Sequence, residues 1–477
     1  MSAARVPGAE DGNRGESARN GSGVDGGRGE SPAGSPAGSS GSSGNSGNSG
    51  APAARRGMNR RHLLFGGAAA GVGALAAAGI ALSGGARTET ERIEDSAAAG
   101  TGNGAGTGTR AGAAGTAVVP FYGARQSGIE TPAQAHAVFL ALDLKPGLTR
   151  QRLAALLRLL SDDAAALTQG RPALADTEPE LAVSPARLTV TFGFGPALVA
   201  LAAPELAPPW LRPLPAFGID RLQPAYTGGD LLLQLCADDP LTLAHARRML
   251  LKDSRSFASL RWVQSGFLNA VGSGQADATP RNLFGQLDGT GNPRKTGEFE
   301  RVVWGGPEIA PWLESGTSMA IRRIAMNLDT WDELDRRGRE EAVGRTLDTG
   351  APLTGTAEHD APDFTVRNSL GFAVIADSSH LRRARPDDER QRIFRRPYNY
   401  DDPPGTGASG SSSGGVSDSG QIFVSYQADV DRQFVPIQRR LDQLDILNEW
   451  TTPVGSAVFA VPPGAAEGGF VGDVLFG

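Results

Sequence analysis

A lone carboxylate framed by glycines is the first place in this 477-residue chain where residue types and spacing suggest chemistry. It lies in Phe284-Gly285-Gln286-Leu287-Asp288-Gly289-Thr290-Gly291-Asn292-Pro293. Glycines on either side of an acid permit positive φ and let a bulky planar ligand approach the main chain closely. The same residues are also ordinary turn formers, so Asp288 is either a proton acceptor presented by the backbone or part of a simple turn. The chain has only five histidines. His62 sits in a basic and apolar leader, His136 begins an apolar run, His245 falls in a helical pattern, and His359 is in a polar loop beside Asp360. His380 differs, following the apolar run 371–376 and preceding Arg382, Arg383 and Arg385. A neutral imidazole can ligate iron through one nitrogen while an acceptor on the other fixes the ring and raises its basicity. The competing reading is a surface histidine at the start of a loop. Further on, Ile393 and Phe394 directly precede Arg395 and Arg396. This draws a guanidinium towards an apolar pocket, where it needs an acid, a propionate or a developing oxyanion as partner.

The elements that position these residues follow from hydrophobic periodicity. Residues 135–144, 188–194, 230–237 and 258–266 read as strands, and 151–160 and 240–253 as helices. After the glycine turn the order recurs, with strands at 318–328 and 421–427 and helices at 330–345 and 434–450. Strands followed by helices without regular βαβ alternation predict an α+β fold with antiparallel sheets and helices packed on their faces. Two ferredoxin-like halves, 118–290 and 291–477, fit that order. The Pro/Gly/Ser-rich segment 401–420 reads as a disordered surface insertion.

Residues 1–57 are Gly, Ser, Ala, Asn and Arg with almost no large apolar side chain, the composition of a disordered leader. Residues 58–84 change texture: Arg60 and Arg61 abut a weakly apolar Ala/Gly/Leu run ending near Ala81-Leu82-Ser83. This resembles a twin-arginine export signal, and its Gly and Ala content makes a poor membrane anchor. Residues 85–117 read as a flexible tether. The expected location is extracytoplasmic: secreted, periplasmic or cell-surface associated. One cysteine, Cys236, excludes an internal disulfide or a cysteine-ligated cluster, and its apolar surroundings predict a buried small hydrophobe. A net charge of −6 without a basic stretch in the folded part argues against nucleic acid.

Taken in order, these segments resemble the dye-decolourising peroxidases, specifically their twin-arginine-exported branch. The resemblance rests on Gly-x-x-Asp-Gly at 285–289, His380-Leu381-Arg382, Arg395-Arg396, Tyr426-Gln427-Ala428-Asp429, and the segment 434–438. Further matches fall at 125–129, 229–232 and 455–459. It implies haem b in the C-terminal half, with His380 as axial ligand and Asp429 hydrogen-bonded to its other nitrogen. It places Asp288 and Arg395 on the opposite face, and Gly285, Gly289, Thr290, Arg382 and Phe423 around the macrocycle. The implied activity reduces hydrogen peroxide and oxidises bulky phenolic or dye-like substrates. The alternative is haem binding or iron release of the deferrochelatase type within an iron-acquisition system. Partners implied are peroxide, an organic reductant, the twin-arginine translocase, an iron-uptake permease and a second copy of the chain. Large reductants cannot enter a small pocket, so electrons would hop from a surface Tyr or Trp; Tyr398, Tyr400, Trp304 and Trp331 are candidates, with ordinary packing as the alternative reading for each. Two departures stand out: Gln421 where the family usually has an aliphatic residue, and Arg125 where it has a histidine. The register of Arg395 against Arg396 stays open by one residue.

Overall fold

Strand β1 (His136–Leu144) is apolar on both sides, and its side chains divide by parity. Val138, Leu140 and Leu142 join a core beneath helices, while Ala137, Phe139 and Ala141 join a second core on the other face, as the two-residue period of a strand requires. A strand buried on both faces must lie in a sheet covered twice. The computed structural model describes residues 114–274, 278–304, 309–386, 388–403 and 418–477, and shows both covers.

The N-terminal half runs β1, α1 (Arg150–Thr168), β2 (Thr189–Phe194), α2 (Pro196–Ala202), β3 (Leu231–Ala237), α3 (Pro240–Ser254) and β4 (Ala258–Phe267). Its antiparallel sheet has the order β2-β3-β1-β4. The C-terminal half begins with α4 (Thr296–Val302), β5 (Thr317–Met326), α5 (Leu328–Trp331), α6 (Arg336–Val343) and α7 (His380–Ala384). It continues through β6 (Phe394–Arg395), β7 (Tyr398–Asp402), β8 (Asp418–Gln427), α8 (Val435–Leu444) and β9 (Thr451–Val461). Here β5 lies between β9 and β8, and β8 also pairs with β7 and β6. Each half thus has the ferredoxin-like strand order, and the α+β expectation holds.

The halves join edge to edge twice, through Phe194 against Ala460 and Phe267 against Asn399. Because β5 also pairs with β8, the strands close into a ring, and closure removes exposed sheet edges. Phe139, Leu232, Met319, Ile422 and Phe459 fill its interior, with Cys236 buried among them. On β8, Ile422, Val424 and Tyr426 point inward, so Gln421 and Phe423 face the other way, where Phe434, just before α8, packs against Phe423. That outer face of the C-terminal sheet carries the site.

Several expectations need correction. The helix over 330–345 is two helices, because the Asp335 carboxylate accepts a bond from Gly338 N–H at 2.7 Å and starts α6 afresh. The helix over 434–450 ends at Leu444, where Asp445 caps a 3-10 turn, Ile446–Glu449. Strand β9 is absent from the periodicity reading because Pro453 and Gly455 interrupt its pattern. The insertion 401–420 is shorter than its composition suggests. Asp401 and Asp402 pair with Ser419 and Asp418, and both Asp402 and Asp418 approach the buried guanidinium of Arg323, at 2.9 and 3.8 Å. The rings of Tyr226 and Tyr400 both pack against that guanidinium, with centroids 4.5 and 3.6 Å from its carbon. The end of the tether is anchored too: Gly115 carbonyl accepts from Ala186 N–H and Ser184 Oγ at 3.0 and 2.9 Å. The leader, the export signal and the tether to residue 113 lie outside the described residues, as do residues 404–417. Among the described residues no helix is long and apolar enough to cross a membrane.

Candidate active site

The glycine turn is held on three sides. Gly285 and Gly289 have φ of 79° and 136°, and the second value is a conformation that L side chains rarely adopt. Asn282 Oδ1 accepts from the N–H groups of Phe284 and Gln286, and Phe284 is buried against Trp331 with ring centroids 4.3 Å apart. Asp288 N–H donates to the Pro280 carbonyl at 2.8 Å, which fixes the backbone that carries the acid. Thr290 Oγ1 donates to Glu358, which also accepts from Thr279, at 2.9 and 2.6 Å. Arg281 donates to the carbonyls of Gly285 and Leu347, tying the turn to the loop after α6.

The next residue of the turn region, Asn292, reaches across to β6. Its amide donates to the Arg395 carbonyl at 2.7 Å and its oxygen accepts from Arg395 N–H at 2.9 Å. A side chain thereby satisfies both backbone groups of an edge residue, as a neighbouring strand would. Arg395 then donates from a terminal nitrogen to Asp288 Oδ1 at 2.9 Å. Strand alternation sends Arg396 to the opposite face, where it is buried against Thr131 carbonyl and Gln134 Oε1. Arg395 therefore meets Asp288, and Arg396 braces the two halves. Gln421 donates from its amide to Asp288 Oδ2 at 2.8 Å, so each carboxylate oxygen has its own donor.

His380 opens α7, and its Nδ1 lies 2.6 Å from Oδ2 of the buried Asp445. Asp445 Oδ1 accepts from Leu447 N–H at 3.0 Å, and Ile446 N–H donates to Ser378 carbonyl at 2.9 Å, so the two segments are stitched together. Desolvation by the surrounding protein would lower the imidazole pKa, but the charge and hydrogen bond of Asp445 outweigh it and the net shift is upward. Arg395 pushes that pKa down and Asp288 pushes it up, so both reach the imidazole electrostatically. With Nδ1 committed, Nε2 is the nitrogen left for a metal, on a side chain 32 % exposed.

Asp429, expected behind His380, is elsewhere. It starts the π-helical turn Val430–Phe434 and accepts from Arg432 N–H, while Asp445 takes the position at His380. Arg382 lies two residues from His380, paired with Asp377 at 2.9 Å and stacked over Phe364. Arg125 pairs with Glu300 and covers the Trp304 ring, a link between the halves. The four proposed electron relays fare worse: Tyr398, Tyr400, Trp304 and Trp331 are all buried, because the ring interior and the pocket beside Phe284 absorb them. None offers a surface ring. Asp445 and Asn292 are the residues that sequence reasoning missed. In the sequence Asp445 falls inside the pattern read as a helix over 434–450, so no local signal marks it.

Among the described residues no cluster of three or more His, Cys, Asp or Glu could hold a bare metal ion. One oriented imidazole beside an acid and a guanidinium suits a metal whose other ligands come from a macrocycle. The comparisons agree. The Dyp-type peroxidase N-terminal family model matches residues 126–268 and the C-terminal model matches 279–466. A dye-decolorizing peroxidase of Thermobifida fusca is 36% identical over 436 residues, covering 88% of this chain and 98% of that protein. A deferrochelatase of Escherichia coli K12 is 33% identical, covering 73% and 84%. Among solved structures, a DyP-type peroxidase from Cellulomonas bogoriensis superposes with a TM-score of 0.73 at 52% identity, covering 76% of this chain and 99% of that one. An oxyferrous complex of DtpA from Streptomyces lividans gives 0.72 at 39%, covering 77% and 100%.

The chain belongs to the Dyp-type peroxidase family. It is a haem-dependent peroxidase, an oxidoreductase whose substrates are hydrogen peroxide and a reductant.

The raised His380 pKa has a defined sign. The pairing with Asp445 stabilises the folded, metal-free protein fully below the ordinary imidazole value of about 6.5, and the gain fades as pH rises through the higher folded value. In an NMR titration of metal-free protein, Asp445→Asn is expected to lower the His380 pKa, whereas Asp429→Asn leaves it in place.

Proposed function

We propose that His380 ligates the haem iron through Nε2, that Asp288 moves the peroxide proton, and that Arg395 stabilises the charge released when the O–O bond breaks. The observation that carries this reading is the hydrogen-bonded Arg395–Asp288 pair, both members of which act electrostatically on His380, whose Nδ1 is held by the buried Asp445. Haem, when bound, supplies the iron and the electrons for peroxide cleavage. The remaining work belongs to this chain. Asp445 orients the imidazole and raises its basicity. Asp288 accepts a proton from one peroxide oxygen and delivers it to the other, which departs as water. Arg395, permanently charged, favours the developing negative charge on that departing oxygen. Gly285, Gly289 and Thr290 keep the turn in place, and Phe423 covers the same face of β8 as Gln421.

The reductant in this reading is a bulky aromatic molecule of the dye or phenol class, consistent with the name of the Thermobifida relative. The relatives named as deferrochelatases favour no separate reading of this site. The paired Arg60-Arg61 and the apolar run after them support export of the folded protein by the twin-arginine translocase to an extracytoplasmic location.

Two outcomes test this. Asp288→Asn and Arg395→Leu should each lower kcat/KM for hydrogen peroxide by about a hundredfold or more while keeping the Soret band, as loss of a well-placed electrostatic group does, and unchanged turnover would refute the roles. Replacing Arg60 and Arg61 by lysine should leave the protein in the cytoplasmic fraction, and undiminished export would refute the signal.

A further inference from the structure

The distal acid of this chain has an unusual second partner. Gln421 stands on β8 where the family resemblance anticipates an aliphatic side chain, and it is 6 % exposed. Its Nε2 lies 2.8 Å from Asp288 Oδ2, while Arg395 holds Oδ1 at 2.9 Å. Strand register makes this a fixed arrangement. Gln421 pairs with Ile324 on one side and Asn399 on the other, in the interior of the ladder, so its backbone cannot drift relative to the turn. The turn in turn is tied to β6 through Asn292. A carboxylate held by one donor can still rotate about its Cβ–Cγ bond; one held at both oxygens by donors on different strands cannot do so without losing a hydrogen bond.

We propose that Gln421 is a positioning residue for the peroxide reaction, fixing the plane of the Asp288 carboxylate against Arg395 so that the acid keeps a lone pair towards peroxide. This rests on the assignment of Asp288 as the proton carrier. Among the described residues the Gln421 side chain hydrogen-bonds to Asp288 and to no other group, which makes its effect separable. A misplaced catalytic group costs rate out of proportion to the displacement, because productive geometry is narrow. Coupling between two residues in contact appears as non-additivity in a double-mutant cycle.

The test uses full-length holoprotein and the variants Gln421→Leu, Asp288→Asn and their combination, each confirmed to bind haem by its Soret band. Two readouts are taken: kcat/KM for hydrogen peroxide at saturating reductant, and the association rate of cyanide followed in the Soret band, since hydrogen cyanide must also lose its proton to a distal acceptor. Gln421→Leu is expected to lower both by roughly tenfold with the KM for reductant unchanged, and to change neither in the Asp288→Asn background. Two results would overturn the inference: no effect of Gln421→Leu on either readout, or an equal loss in both backgrounds, which marks a packing role. Full peroxide turnover in Asp288→Asn alone would overturn the parent reading and the inference with it.

Discussion

The contact on which the site depends is made by Asn292, whose amide clasps both backbone groups of Arg395. The acid and the guanidinium come from segments far apart in the chain, and neither the turn nor the two-residue strand β6 is long enough to place them unaided. One amide standing in for a missing strand neighbour joins them. That clasp holds Arg395 where it points at Asp288, while strand alternation turns the neighbouring Arg396 inward to brace the halves and the β8 ladder presents Gln421 to the same acid. A side chain that satisfies a backbone donor and acceptor together leaves neither edge group of Arg395 unpaired.

The second constraint is closure. Joining the ferredoxin-like halves at both edges buries one face of each sheet inside a ring, which leaves only the helix-covered faces for function. Tyr398 and Tyr400 are captured by that interior, so aromatic residues near the site in sequence are not thereby surface groups. Arg323 shows what burial demands of a charge: two aromatic faces and two carboxylates surround it, in line with the cost of an unpaired buried cation.

Asp288, His380 and Arg395 were legible in the sequence because local chemistry marks them: glycines frame the first, arginines follow the second, and apolar residues precede the third. The central strands were legible for the same reason, their periodicity being strong. Asp445 was not, since its role depends on where α8 ends and on α7 docking beside that end, a tertiary fact with no local sign. The family match at 426–429 points to Asp429 instead. The structure uses it to start a helical turn, a local task for which an aspartate is equally suited. Asn292 reads as turn chemistry, and it is part of a turn, but its amide is spent on a strand 103 residues further along the chain.

In the proposed reading His380 would hold the haem iron, with Asp445 behind the imidazole and the Arg395–Asp288 pair facing the peroxide. An anomalous difference map at the iron edge, from crystals of the holoprotein, tests this most directly. The expected result is one strong iron peak within bonding distance of His380 Nε2, with Asp288 and Arg395 on the far side of the iron from that nitrogen. A peak away from His380, or one with the Asp288 carboxylate on the same side as the imidazole, would contradict it.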